Sequence, residues 1–311
     1  MRSIAGTASP RLLNPRWAVI NPTKHSDSGF NFQLSQPSGQ LALFVQAIWS
    51  ASVQQSESGS IAKWLYSDAG SGIIFNLVGG LSIAGVPLPE GVIMLPVSKQ
   101  AANISLPSGA RLAGIRFHPA IGYGVTGQHY DKPTLLPPSE DHQFNLYNTF
   151  AELRQQLRPQ SHLETIHRWA EQHLGKSQMI PDALDRAMQQ IEQQEMVGRV
   201  AELSTLSLRQ IERLFQHRLD MTPKHYQRIL RIRKAIHYLQ QHSKANLAEV
   251  AQQFGFSDQA HMTREFRAIA STTPTKISPS SLRPQPSELQ GEADSNQRTD
   301  LLADQRRSKI G

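Results

Sequence analysis

The stretch LAEVAQQFGFSDQAHMTREFR, residues 247–267, predicts two short helices joined by a tight turn. Its first half carries apolar residues at helical spacing: Leu247, Val250, Ala251 and Phe254. Gly255 follows, and glycine readily adopts the positive φ that ends a helix in a tight turn. We expect Ser257 to cap the second helix and Asp258 to lie in its first turn. This pattern is typical of a helix-turn-helix.

The second helix of this stretch has one apolar side and one polar side. Met262 and Phe266, four residues apart, predict the buried side, and His261 is expected to pack at the edge between the helices. The residues left nearer the solvent are Gln259, Ala260, Thr263 and Arg264.

A looser copy of the same module precedes it. VAELSTLS (200–207) aligns with VAQQFGFS (250–257), with Thr205 in the place of the turn glycine and Ser207 as the expected cap. Two copies are too few for a solenoid, so we interpret them as one module used twice. The outward residues of the first copy are Arg209, Glu212 and Arg213.

A longer helix, starting at Thr222-Pro223, is expected to join the two copies, with a cap residue followed by proline at the first helical position. Its predicted apolar side consists of Tyr226, Ile229, Leu230, Ile232, Ile236 and Leu239. The other side carries Lys224, Arg228, Arg231 and Arg233.

Residues 178–282, which contain both copies, resemble the double helix-turn-helix DNA-binding domain of the AraC/XylS family of bacterial transcription regulators. LSLRQIERLFQHRLDMTPKHYQRILRIRKA resembles the first module and linker helix, and LAEVAQQFGFSDQAHMTREFRAIASTTPTKI resembles the second. The usual family pattern has a glycine where this chain has Asp220. The resemblance implies a transcription activator that binds double-stranded DNA and contacts RNA polymerase. The absence of cysteine and of an apolar run long enough to cross a bilayer leads us to expect a cytoplasmic location.

The resemblance also implies site residues. Those implied to contact bases in adjacent major-groove segments are Arg209, Glu212, Arg213, Gln259, Ala260, Thr263 and Arg264. Those implied to contact the DNA backbone are Ser207, Ser257, Arg231 and Arg233. The residue types suit these roles, because Arg pairs with guanine, Gln with adenine and Glu with cytosine. Between Arg199 and Lys244 there are ten Lys/Arg against three Asp/Glu, a basic bias that favours a polyanionic partner.

Short apolar runs broken by Gly, Pro and Asn predict a β-rich N-terminal domain. LALFVQAIWSA fits a strand or a short helix, and SGIIFNLVGG, VIMLPV and ARLAGIRFHP fit strands. The region resembles the poorly characterised sensor-like domain found ahead of many AraC-type modules, which implies a cupin-like barrel that binds a small effector or forms a homodimer. A purely structural β domain is the alternative.

The candidate effector-binding residues are Arg116, His118 and Trp49. Arg116 and His118 alternate along the GIRFHP strand, which places both on one face, suited to an anionic effector. Two interpretations are open for three further aromatic residues, Phe75, Phe117 and Tyr123. They either line a ligand pocket together with Trp49 or belong to the core.

We therefore predict an α+β multidomain protein, a β-rich domain followed by an all-α double helix-turn-helix domain. The predicted divisions are an irregular N-terminus (1–30), a β-rich sensor-like domain (31–140), a helical linker or dimerisation segment (141–177), the DNA-binding domain (178–282) and a disordered tail (283–311). DKPTLLPPSED (131–141), with its three prolines, is expected to be an exit loop.

Composition excludes several function classes. The 311-residue chain has a net charge of +7 and no cysteine, so disulfides, thiolate metal sites and cysteine-dependent alkyl transfer to repair DNA are excluded. The histidines His25, His118, His129 and His142 are scattered, which predicts no metal, and we expect no cofactor. No catalytic motif points to an enzyme, and no apolar run is long enough to cross a bilayer. A DNA-binding or interaction protein without sequence preference or effector control remains the alternative.

Overall fold

A computed structural model describes residues 29–55, 59–174, 180–193, 197–203, 206–242 and 244–277. The predicted irregular N-terminus (up to residue 28), the predicted disordered tail and Thr205 lie outside these ranges. By its contacts the chain forms two compact units, 1–233 with 264–271 and 234–263 with 272–311. The domain boundaries predicted above differ from these units and stay predictions.

The first unit contains two antiparallel sheets. The strands within the described ranges are β1 (Phe30–Ser35), β2 (Val45–Val53), β3 (Ser60–Leu65), β4 (Gly72–Val78), β5 (Leu81–Ile83), β6 (Val86–Leu88), β7 (Gly91–Leu95), β8 (Ala102–Pro107), β9 (Arg111–Phe117) and β10 (Thr134–Leu135). One sheet has the order β1-β2-β9-β4-β7-β10, and the other has the order β3-β8-β5-β6. The predicted β-rich domain is confirmed.

The six-stranded sheet is buried on both faces. Along β4, Ile73 and Phe75 pack toward two helices, α2 (Leu146–Gln155) and α3 (Pro159–Leu174). Ile74 points the opposite way, into an apolar cluster that includes Ile83 and Ile104 of the four-stranded sheet. The alternation of side chains along a strand explains this arrangement, because it supplies one apolar face to each neighbouring layer.

Helices α2 and α3 belong to the core of the first unit. Leu153, Ile166 and Trp169 are buried against the six-stranded sheet. His162 is buried as well, with Nε2 3.1 Å from the Gln156 carbonyl oxygen and Nδ1 2.9 Å from Ser50 Oγ. Burial lowers the pKa of His162 below its usual value. Nε2 therefore donates to the carbonyl, and a neutral Nδ1 accepts from the serine. The dimerisation role predicted for 141–177 stays a prediction, and it would have to use the exposed sides of these helices.

Two local predictions needed the structure to decide them. LALFVQAIWSA forms both alternatives in turn, a 3₁₀ helix at Gly39–Leu43 and then β2. The predicted exit loop 131–141 contains a short strand, since Thr134 and Leu135 pair with β7 at the sheet edge. The three prolines lie on either side of Thr134 and Leu135 and do not interrupt their pairing. The prediction of a loop was therefore correct only for the residues that flank this short strand.

Gly114 of β9 provides the space for the Trp49 indole. A Cβ at position 114 would lie 2.5 Å from Trp49 Cζ2 and 2.7 Å from the Ile73 carbonyl oxygen. We predict that Gly114→Ala destabilises the protein by about 1–3 kcal/mol, because the indole and the sheet backbone must shift to avoid this overpacking. Urea unfolding followed by tryptophan fluorescence measures the loss.

A matched control exists at Gly198, which lies in a helix and where an added Cβ meets no atom within 4 Å. Gly198→Ala is expected to be neutral or slightly stabilising, since alanine favours helix more than glycine does. Equal stability of both variants and the parent would contradict the role given to Gly114.

The rest of the described chain is helical. The helices are α1 (Ile121–Thr126), α4 (Asp182–Glu192), α5 (Val197–Leu203), α6 (Leu208–Leu219), α7 (Pro223–Gln241), α8 (Leu247–Gln253), α9 (Gln259–Ala270) and α10 (Pro274–Ile277). Helices α7 and α9 each contribute residues to both units. None of the helices in the described ranges combines the length and apolar character needed to span a bilayer.

Candidate DNA-binding helices and effector cavity

The first helix-turn-helix copy consists of α5 and α6. Ser207 caps α6, since its Oγ accepts from the Gln210 backbone N–H at 3.3 Å while Gln210 Oε1 accepts from the Ser207 N–H at 2.8 Å. The cap predicted for this position is therefore confirmed. Ile211, Phe215 and Leu219 form the buried side of α6. The residues predicted to contact bases are all exposed: Arg209, Glu212 and Arg213.

Removing this cap has a measurable consequence. We predict that Ser207→Ala lowers stability by about 0.5–2 kcal/mol, because the reciprocal pair of hydrogen bonds at the start of α6 is lost. Ser207→Asp keeps an acceptor at the same place and is expected to retain most of the stability. Thermal unfolding followed by circular dichroism compares the two. A Ser207→Asp variant as unstable as Ser207→Ala would show that the capping interaction is not the cause.

Asp220 ends α6 in the left-handed conformation, with φ 50° and ψ 35°. The residue therefore adopts the backbone that a glycine would supply at this position, and the turn is retained. Its carboxylate accepts from Gln216 Nε2 at 2.9 Å and forms an ion pair with Lys99, from the connection between β7 and β8. Asp is among the residues that tolerate this conformation best, because its short polar side chain can hydrogen-bond locally.

The linker helix α7 follows its prediction closely. Thr222 caps it, accepting from the His225 backbone N–H at 3.2 Å. All six residues predicted for its apolar side are buried: Tyr226, Ile229, Leu230, Ile232, Ile236 and Leu239.

The cations of α7 differ in their surroundings. Lys224 is exposed, whereas Arg231 and Arg233 are half-buried. Arg228 donates two hydrogen bonds to Glu265, from Nε at 2.7 Å and from Nη2 at 3.0 Å. Arg233 attracts the buried carboxylate of Asp68, so the structure gives this predicted phosphate-binding residue an intramolecular partner charge.

The second copy consists of α8 and α9. Asn246 caps α8, accepting from the Ala248 N–H at 2.9 Å, and Gly255 has the predicted positive φ, 72°. Val250 and Ala251 are buried on α8, as Met262 and Phe266 are on α9. Among the predicted base-contacting residues, the exposed ones are Gln259, Ala260 and Arg264. Thr263 is half-buried, and its hydroxyl donates to the Gln259 carbonyl at 2.9 Å.

The cap of α9 differs from the prediction. Asp258, not Ser257, is the capping residue, since its Oδ1 accepts from the His261 N–H at 2.6 Å. The helix starts at Gln259, later than the sequence suggested, so the capping position falls on the aspartate. The Ser257 N–H instead donates to His261 Nδ1 at 3.2 Å, and the His261 ring packs on Phe256. His261, predicted to pack at the edge between the helices, thus contacts Phe256 and Ser257 of the turn that joins α8 to α9.

The first unit also contains a cavity of about 740 Å³. Its walls come from both sheets, from the β7–β8 connection, and from the end of α6 and start of α7. Of the three candidate effector-binding residues, Trp49 and Arg116 line it, whereas His118 does not. His118 lies just past the end of β9, and its Nε2 hydrogen-bonds the Ala42 carbonyl oxygen.

Arg116 is already engaged in a buried ion pair. Its Nε donates to Asp68 Oδ2 at 2.9 Å, and its Nη2 donates to Asp68 Oδ1 and to the Gly70 carbonyl oxygen. Burial alone would raise the pKa of Asp68, but Arg116, Arg233 and the Gly70 N–H hold that pKa below its usual value. Because the arginine is neutralised in this way, the structure does not favour the anionic effector that we expected it to bind.

The remaining aromatic candidates divide between core and surface contacts. Phe75 and Phe117 are buried in the cluster between the six-stranded sheet and the helices. Tyr123 packs against His129 and His217, with ring centroids 4.8 Å apart in each case. Of the four aromatic residues considered, only Trp49 lines the 740 Å³ cavity.

Sequence reasoning missed most of the cavity-lining residues. They include Tyr66, the 95–102 segment, the 130–133 segment, Asp220 and His225. The sequence offered one hint of these residues, because Asp220 stands where the AraC/XylS pattern usually has glycine. Within the described ranges, the structure brings together no group of three His, Asp or Glu side chains suited to a metal ion.

Comparisons with known proteins bear on the C-terminal part of the chain. A family model described as a helix-turn-helix domain matches residues 200–278. The HTH-type transcriptional activator RhaS of Escherichia coli (strain SE11) is 38% identical over 78 residues, which is 25% of this chain and 28% of RhaS. Residues 200–278 of this chain are therefore similar to a helix-turn-helix domain. The chain spans little more than a quarter of the length of the RhaS proteins that it matches.

Two solved structures are also similar. An AraC-type regulator from Chromobacterium violaceum has 26% identity and a TM-score of 0.31, covering 33% of this chain and 95% of its own. ToxT from Vibrio cholerae has 9% identity and a TM-score of 0.41, covering 80% of this chain and 97% of its own. The matched RhaS proteins are HTH-type transcriptional activators.

Proposed function

We propose that this protein is a cytoplasmic, sequence-specific DNA-binding transcription regulator, an activator whose two helix-turn-helix units read adjacent major-groove segments. One observation carries the proposal. Both α6 and α9 bury an apolar side, and their opposite sides hold exposed residues able to hydrogen-bond base edges, such as Arg213 and Arg264. The match of residues 200–278 to a helix-turn-helix domain supports it.

The phosphate contacts in this proposal come from the exposed starts of the helices and from cations. Ser207 and Ser257 are exposed at the starts of α6 and α9, and Arg231 is half-buried on α7. Arg233 is the weakest of these candidates, because Asp68 already attracts it. The basic bias of residues 199–244 suits a phosphate backbone, which binds through counterion release.

A competition assay tests sequence specificity. The full chain is bound to a labelled fragment of the intergenic region upstream of its own gene, and unlabelled fragment or random DNA of equal length competes at fixed salt. A specific regulator should prefer its site by about a thousandfold or more. Equal competition by random DNA would instead support a DNA-binding protein without sequence preference, and would overturn the proposal.

Effector control is the second part of the proposal. The cavity is lined by Trp49 and Arg116 of the sheets, and also by Asp220 and His225 of the first helix-turn-helix copy and linker. His225 Nε2 lies 3.0 Å from the Lys99 carbonyl oxygen, and Lys99 binds Asp220. A ligand in the cavity would therefore contact the residues that join the sheets to the DNA-binding helices. Contact with RNA polymerase and homodimer formation are further parts of the proposal, implied by the family.

A further inference from the structure

We propose that the cavity binds an uncharged, mainly apolar molecule with one or two hydrogen-bonding groups. This inference rests on the proposed role of the cavity as the effector site and defines the chemical class of its ligand.

The walls of the cavity are largely apolar. The aliphatic and aromatic side chains that line it include Trp49, Leu65, Ile74, Ile83, Val86 and Ile104. Its volume of about 740 Å³ lies within the range of pockets that hold small organic ligands. Such walls stabilise a ligand mainly by removing its apolar surface from water.

The inner cation of the cavity is neutralised by the protein itself. Arg116 donates two hydrogen bonds to Asp68, whose side chain is 1% exposed. An anionic group on a ligand beside Arg116 would also lie close to the Asp68 carboxylate, and like charges at that distance repel. Arg233, which also attracts Asp68, does not line the cavity.

The charges nearer the solvent balance as well. Lys99 is paired with Asp220, and exposed Lys132 adjoins exposed Asp131 in the chain. Each lysine or arginine that lines the cavity therefore has a carboxylate as an ion-pair partner or as a chain neighbour, and Asp68, the partner of Arg116, lies behind the lining residues. Uncharged polar side chains such as Tyr66, Tyr130 and Gln100 remain at the wall, and they suit a hydroxyl, carbonyl or ether oxygen.

A matched pair of ligands tests the charge requirement. The full-length protein is loaded with the uncharged fluorescent probe N-phenyl-1-naphthylamine, and the probe is displaced near neutral pH by decan-1-ol or by decanoate. The two molecules share one chain length and differ in head-group charge. We expect decan-1-ol to displace the probe at a concentration at least about tenfold lower than the concentration of decanoate needed. The carboxylate of decanoate would have to lose its hydration without gaining an unpaired cation as a partner.

A cavity-filling variant tests the location. Val86 is half-buried and lines the cavity, so Val86→Trp should weaken displacement by decan-1-ol at least about tenfold. Leu43→Trp, at a 37% exposed position that does not line the cavity, is the control and should leave binding unchanged. Circular dichroism checks that both variants fold.

Three results would overturn the inference: decanoate displacing the probe as well as the alcohol, Val86→Trp binding the alcohol normally while folded, or no saturable binding of the probe. The DNA competition assay is read separately. Alcohol binding that leaves DNA affinity unchanged would keep the ligand class and disprove effector control, whereas a preference for decanoate would disprove the ligand class and leave DNA binding intact.

Discussion

Asp68→Ala is expected to destabilise the first unit by about 3–5 kcal/mol, because it leaves the buried guanidinium of Arg116 without its carboxylate. The two side chains are 1% and 9% exposed, so water cannot readily replace the lost partner. Urea unfolding of the purified full-length chain, followed by tryptophan fluorescence, measures the change. A loss below about 1 kcal/mol would mean that the ion pair is far weaker than its burial implies.

A double replacement distinguishes the free-energy cost of a buried, unpaired charge from the contribution of the ion pair to stability. In Asp68→Leu with Arg116→Met, neither charge remains, and buried ion pairs replaced by apolar side chains are often neutral in stability. We therefore expect the double variant to recover most of the loss seen in Asp68→Ala. If the double variant is as unstable as the single one, packing around position 68 rather than charge is the cause.

The same pair predicts a pH dependence. Burial acts to raise the pKa of Asp68, but the charges of Arg116 and Arg233 hold it below the usual value. A carboxyl whose folded-state pKa is depressed stabilises the fold fully above its unfolded value, about 3.9, and this contribution is lost as the pH falls through the folded-state pKa. Asp68→Asn should lack this contribution at neutral pH and lose less stability than the parent on acidification. Thermal unfolding across the acid range compares them.

Local spacing predicted the helix-turn-helix copies well because their signals lie within a few residues of one another. The positive φ of Gly255, the Thr222 cap and the buried residues of α7 all follow from neighbouring positions. The cap of α9 was misplaced because Ser257 and Asp258 are both good capping residues. Only the position at which the helix starts decides between them.

The cavity could not be predicted in the same way because its residues meet through long-range contacts. Lys99 and Asp220 are 121 residues apart in the chain, and Arg116 is 48 residues from Asp68. Strand alternation predicted that Arg116 and His118 lie on one face, yet it contained no information about the Asp68 carboxylate that pairs with Arg116. The anionic effector was therefore expected from Arg116 and His118 without knowledge of the carboxylate that pairs with Arg116.

Arg213→Ala and Arg264→Ala are each expected to weaken binding to the specific DNA site by about 1–3 kcal/mol, which is tenfold to more than a hundredfold in affinity. Both arginines are exposed, one on α6 and one on α9. A bidentate pair with guanine is lost in each case, so binding to random DNA should change much less. Footprinting and titration at fixed salt measure the two affinities. Unchanged protection of the same site by both variants would show that these helices do not read bases through these residues.

Arg267→Ala distinguishes base reading from general charge. Arg267 is also exposed on α9, in its last turn and outside the predicted base-reading set. Any contact of Arg267 with DNA would be that of a cation near a phosphate. Its loss should therefore weaken binding to specific and to random DNA about equally, and it should reduce by about one the slope of log affinity against log salt concentration. Arg264→Ala should instead reduce the ratio of the affinity for the specific site to the affinity for random DNA. An Arg264→Ala variant that behaves like Arg267→Ala would show that Arg264 contacts the DNA backbone. Gln259 would then be the remaining exposed member of the predicted set on α9 that can hydrogen-bond a base.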